Sequence, residues 1–113
     1  MPGFEVTISL EGKRLVVAPS GECDLAERAA FAAVLADSVD RCLVVVVDLA
    51  ELSFIDSSGI NELVAAHHAA RRRNGHLYVR NAFGMVAGVL AITGVSELLA
   101  LPDDADSATG DPR

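Results

Sequence analysis

The sequence predicts an α/β domain built on a mixed, mostly parallel β-sheet with an N-terminal hairpin and three or more helices. Three observations lead there. The chain opens on an alternating segment, Phe4-Glu5-Val6-Thr7-Ile8-Ser9-Leu10, and a second apolar segment follows across Glu11-Gly12-Lys13. A continuous apolar run, Leu43-Val44-Val45-Val46-Val47-Asp48-Leu49, lies in the middle. From there strand-like and helix-like stretches alternate, which implies right-handed crossovers between parallel strands.

Phe4 to Leu10 places an apolar side chain at every second position, as a half-buried strand does. Arg14 to Pro19 is the returning strand of the hairpin. Ser20-Gly21-Glu22-Cys23-Asp24 reads as a turn, with Asp24 as a helix N-cap. An Ala-rich helix is expected from Leu25 to about Val39, with Leu25, Ala29, Ala32 or Ala33, and Leu35 or Ala36 near helical spacing. The Leu43 to Leu49 run does not alternate, so both of its faces should be covered, as in a central strand. Ala50 to Ile55 is a short connection. Ser57 to Arg73 is a second helix with Ile60, Leu63 and Val64 on one face. Arg71-Arg72-Arg73 complement the negative end of its dipole, with Gly75 expected as the C-cap. His76 to Arg80 is a further strand, and Phe83 to Ile92 a short helix weakened by Gly84 and Gly88. Gly94 breaks that helix, and Val95 to Leu101 is expected as a last short strand. The domain should span 1–101, with one side of its sheet open to solvent. From Pro102, small, acidic residues predict a disordered tail over 102–113.

Composition narrows the function classes. A chain of 113 residues is one domain by length, able to bury about two-thirds of its unfolded surface. The net charge of -7 makes nucleic acid or an anionic membrane a poor partner. There is no Trp and a single Tyr, so bases would find little to stack on. No stretch approaches a membrane span, and Glu5 interrupts any signal peptide. Cys23 and Cys42 form neither a metal-like spacing nor a disulfide framework, and read as small buried hydrophobes in a reducing compartment. The expected localisation is cytoplasmic.

Functional loops of such a fold gather beyond the C-terminal ends of the parallel strands, here Gly21 to Asp24, Asp48 to Ser58 and Asn81 to Phe83. The second of these contains Asp56-Ser57-Ser58-Gly59, where the chain turns from sheet into helix. A hydroxyl there sits at the positively polarised helix N-terminus, a place that displays a serine and tolerates a phosphate. Catalysis by Ser57 lacks a base. His67 and His68 lie roughly 15 Å along the same helix, at ~1.5 Å per residue, and His76 opens the next strand at the opposite end of the sheet. His67 and His68 diverge by about 100° and cannot chelate a metal together, and Asp48 and Asp56 lack the spacing of a phosphotransferase. Helix capping explains one of Asp56, Ser57 and Ser58. Three in a row, with Gly59 removing a side chain beside them, suggest close approach by another protein.

The run Val47-Asp48-Leu49-Ala50-Glu51-Leu52-Ser53-Phe54-Ile55-Asp56-Ser57-Ser58-Gly59-Ile60 resembles the signature of STAS domains of the anti-sigma-factor antagonist type. Gly21-Glu22-Cys23-Asp24 looks like that family's Gly-Glu-Leu-Asp turn with Cys23 in place of Leu, and Ile92-Thr93-Gly94-Val95 is similar to its hydrophobic-Thr/Ser-Gly-hydrophobic segment. The resemblance covers residues 5 to about 101. It implies a STAS-like fold and bacterial partner switching, in which the protein is a substrate and not an enzyme. An anti-sigma factor with a GHKL-type serine kinase domain would phosphorylate Ser57, and a PPM-type serine phosphatase would reverse it. The unphosphorylated form would bind the anti-sigma factor and release the sigma factor. Asp24, Asp56, Ser57, Ser58, Gly59 and Ile60 would form the binding surface, with no cofactor. Family members commonly continue into a C-terminal helix, whereas the acidic tail has no apolar stripe. An apolar patch left uncovered would favour a weak homodimer. The other reading is a STAS scaffold or ligand-sensing module of a transport or signalling complex, without phosphorylation.

Overall fold

A computed structural model describes residues 3–102. Strands β1 (Phe4–Glu11) and β2 (Arg14–Cys23) form the antiparallel hairpin, in register from Phe4↔Gly21 to Glu11↔Arg14. A single 3-10 turn, Leu25–Glu27, leads into α1 (Arg28–Arg41). The chain continues through β3 (Val44–Asp48), β4 (Leu52–Ile55), α2 (Ser57–Arg72), β5 (His76–Arg80), α3 (Gly84–Ile92) and α4 (Val95–Leu98). The strand order is β1-β2-β3-β5 with β4 also on β2, and every pairing except the hairpin is parallel. The predicted class, a mixed and mostly parallel sheet with an N-terminal hairpin, holds. The predicted tail, from residue 103 onward, lies outside the described residues.

The expected connection Ala50–Ile55 contains a strand. β2 continues past Pro19 to Cys23, so its C-terminal half offers an edge beyond the reach of β3. β4 fills it through Gly21↔Leu52, Glu22↔Phe54 and Cys23↔Ile55, with a register shift between Gly21 and Glu22. The chain changes line between β3 and β4 through an Asx turn, in which the Ala50 amide donates to Asp48 Oδ1 at 3.0 Å. The expected last strand is instead α4. Val95 and Leu99 are both buried one helical turn apart, and only Ala100 keeps strand character, as a parallel bridge to Val79.

Helix α1 buries Phe31, Leu35, Ser38 and Val39. The expected stripe is rotated: Leu25 stays in the 3-10 turn and is 69% exposed, because the i, i+4 pair of the largest side chains, Phe31 and Leu35, selects the inner face. Helix α2 ends in a Schellman motif, with Gly75 N–H donating to Ala70 O at 2.8 Å and Asn74 N–H to Arg71 O at 3.0 Å. Asn74, not Gly75, takes the left-handed conformation, at φ 64°. Gly75 answers a different need, since a Cβ there would strike the Leu43 carbonyl.

The core lies between the helices and one sheet face. Val17, Val45, Val47, Leu77 and Val79 meet Phe31, Leu35, Leu63 and Leu90 in one cluster. Val46 points to the other face and is also fully buried, as expected of a strand covered on both sides. That second face carries a long-range ion-pair network. Arg80 donates to both carboxylate oxygens of Glu11, at 3.1 and 2.9 Å, and its Nε donates to Asp48 at 3.1 Å. It thereby joins β5 to β1, the two ends of the strand order.

Candidate functional site

Cys23 and Ile55 are register partners, so the residues that follow them, Asp24 and Asp56, emerge side by side beyond the sheet. Each is an N-cap, and their backbones are nearly identical, at φ -114°, ψ -170° and φ -113°, ψ -172°. Asp24 Oδ1 accepts from the Ala26 amide at 3.0 Å. Asp56 Oδ1 accepts from the amides of Ser58 and Gly59, at 2.9 and 3.3 Å. Asp56 N–H donates to the Cys23 carbonyl at 3.3 Å, which ties the two caps together. Both carboxylates are therefore engaged with helix amides that no carbonyl within the helix can reach.

Ser57 is the first residue of α2 and is exposed, while Asp56 and Ser58 are half-buried. The cap hydrogen bonds go to Ser58 and Gly59, so the Ser57 amide is left at the tip of a 16-residue helix. A dianion on Ser57 Oγ would meet the helix dipole favourably. The surroundings are otherwise acidic: Asp24 and Asp56 flank it, Glu27 lies in the adjoining turn, and Glu62 one turn further is 3.9 Å from Arg28.

Gly59 and Ile60 face inward, which corrects the expectation that Gly59 clears space for a partner. A Cβ on Gly59 would lie 2.7 Å from Ile55 Cγ1 and 3.0 Å from Cys23 Sγ. The missing side chain thus lets α2 start close against β4 and β2. Ile60 is 6% exposed and belongs to the core. Their part in the site is to seat Ser57. Cys23 is fully buried beneath this seat. Burial first, and then the nearby Asp56 and Asp24, push its thiol up to about 11.

The two other loops at this end are joined through Asp48. Its carboxylate accepts from the Ala50 amide, from Asn81 Nδ2 at 3.2 Å and from Arg80. Burial opposes its ionisation, but these donors together hold its carboxyl below the usual range. Sequence reasoning missed two features: the exposed Leu25 beside Asp24, and the Asp48–Asn81 link. Asn81 holds a left-handed backbone at φ 63°, which an isolated Asn in a loop does not announce.

Among the described residues no helix is long and apolar enough to cross a membrane. No curated protein matches the sequence closely. The fold is similar to a crystal structure of an anti-sigma factor antagonist from Mycobacterium paratuberculosis, with 23% identity, a TM-score of 0.76, and 95% of this chain and 94% of that one covered. It is also similar to the phosphorylated form of SpoIIAA, a Bacillus cell fate determinant, with 17% identity, a TM-score of 0.67, and 98% and 100% covered. A murine Solute Carrier 26 family member A9 anion transporter shares the fold at 14% identity and a TM-score of 0.68, across 96% of this chain and 22% of the transporter. The STAS domain family matches residues 6–108, nearly the whole sequence, and the chain belongs to that family.

Proposed function

We propose that the protein is an anti-sigma factor antagonist controlled by phosphorylation of Ser57. The observation that carries this is an exposed serine at the first position of a helix whose cap, Asp56, leaves that serine's own amide unused. The unphosphorylated surface, Asp24, Asp56, Ser57 and Ser58 with the exposed Leu25 alongside, binds an anti-sigma factor bearing a GHKL-type serine kinase domain and so releases a sigma factor in the cytoplasm. A PPM-type phosphatase restores the binding form. The likeness in fold to an anti-sigma factor antagonist, and to a phosphorylated cell fate determinant, supports this assignment.

The chemistry supports a switch in affinity without a change of fold. A phosphate adds about -1.5 to -2 charges, and the helix terminus accommodates it at a gain of roughly 1 kcal/mol. Against an acidic group of a partner, each unit like-charge pair at about 6 Å costs roughly 3 kcal/mol at an effective dielectric of about 20. The protein acts here as substrate, not catalyst. Incubation with a cognate kinase and ATP, followed by mass spectrometry, should place the phosphate on Ser57. Label that persists unchanged in Ser57→Ala sinks the assignment. Ser57→Asp should bind the kinase far more weakly with an unaltered circular dichroism spectrum. The fold shared with an anion transporter favours the second reading, a STAS module of a transport complex; it predicts no labelling at all.

A further inference from the structure

The opposite end of α2 carries three of the nine Lys and Arg residues of this acidic chain. All three histidines, His67, His68 and His76, lie there with Arg71, Arg72 and Arg73. The His67 and His68 rings are 5.3 Å apart, Arg71 Nη1 is 3.4 Å from His76 Nδ1, and His76 stacks on Tyr78 at 5.6 Å. Arg73 is engaged by the Asp40 carbonyl. Among the described residues the ion pairs involve Arg14, Arg28, Arg41 and Arg80, and none reaches this cluster. His67 Nδ1 is buried without a hydrogen-bond partner. Dipole compensation accounts for two or three arginines at a helix C-terminus, but not for three imidazoles drawn to the same place.

We infer that His67, Arg71 and His76 form a second, proton-coupled binding site for a phosphate- or sulfate-type dianion. Arg71 supplies the permanent charge and a planar pair of donors. Its Nη1 lies 3.4 Å from His76 Nδ1, which brings the β5 imidazole to the same place. The groups facing His67 are His68 and Arg71 from its own helix and His76 from β5. Burial first, and then these cations, hold its imidazole below the ordinary histidine range. A bound dianion reverses the second effect, so binding draws a proton onto the site. The site is about 15–21 Å from Ser57 along α2 at ~1.5 Å per residue, and its occupancy is independent of the Ser57 reading.

The test is an imidazole NMR titration of the full chain with sodium sulfate at constant ionic strength, because sulfate stays dianionic throughout. Saturable shifts are expected at His67 and His76. The affinity should be roughly tenfold tighter at about pH 5.5 than at about pH 8, with the His67 pKa raised by about one unit at saturation. Arg71→Ala should abolish the shifts with an unchanged melting curve, and His67→Gln should flatten the pH dependence. Shifts that chloride reproduces, that fail to saturate, or that are independent of pH overturn the site. Inorganic phosphate and phosphatidate vesicles then separate a soluble source from a lipid headgroup. Binding to either supports the chemistry, and binding to neither overturns it.

Discussion

Gly59→Ala tests how the phosphoacceptor is seated. The added methyl would lie 2.7 Å from Ile55 Cγ1, 3.0 Å from Cys23 Sγ and 3.1 Å from Ile55 Cδ1. Ile55 and Cys23 are fully buried and paired across β4 and β2, so neither can swing away. Overpacking of this kind costs about 1–3 kcal/mol. Exchanging Gly for Ala in a helix returns up to about 1 kcal/mol, which leaves a net loss centred on roughly 1 kcal/mol. For a domain of this size that is a fall in Tm of about 4–8 °C per kcal/mol. The relief of strain should come by lifting the start of α2, which lengthens the Asp56 cap bonds and moves Ser57. Urea denaturation gives the stability, and initial rates of Ser57 labelling give the position of the hydroxyl. Both should fall, and Cys23→Ala in the same chain should recover part of the stability. A Gly59→Ala protein as stable as the parent would refute the close-packing argument, because propensity alone predicts a gain.

Two further outcomes follow from the same geometry. The Glu11 carboxyl is held below its usual value, chiefly by the Arg80 hydrogen bonds, and Asp48 is held low as well. Depressed carboxyls stabilise the fold above their unfolded values near pH 4 and lose that contribution as pH falls through the folded ones. Urea midpoints should therefore drop below about pH 4, less steeply in Arg80→Gln; equal slopes would remove the network from the acid response. Asp56→Ala should cost about 1 kcal/mol, whereas Asp56→Asn, an equally good cap, should cost little. A comparable loss in both would mean that the charge, not the hydrogen bonds, holds the start of α2.

The sequence carried most of the sheet because its signals are periodic. β1 alternates, β3 is a run of valines, and Asn74-Gly75 punctuates the end of α2. β4 escaped because its four residues read buried, exposed, intermediate, buried, and its partner edge exists only because β2 runs on past a proline. α4 escaped because Val95 to Leu101 is apolar without a clear period, and only the tertiary burial of Val95 and Leu99 selects a helical turn. Asp24, Asp56 and Ser57 were legible as cap types. The inward orientation of Gly59 and Ile60 was not, since it depends on Cys23 and Ile55 arriving from two different strands.

The bridge between Val79 and Ala100 has a bearing on how this protein behaves when concentrated. β5 is an edge strand, and edge strands with free amides recruit further strands. Here Val79 N–H is already taken by the Leu99 carbonyl at 2.9 Å, and Pro102, two residues beyond the bridge, has no amide to extend a ladder. Half of that edge is closed by the chain itself. Cutting the chain back to Leu98 would strip this stopper from a valine-rich sheet, together with the buried Leu99.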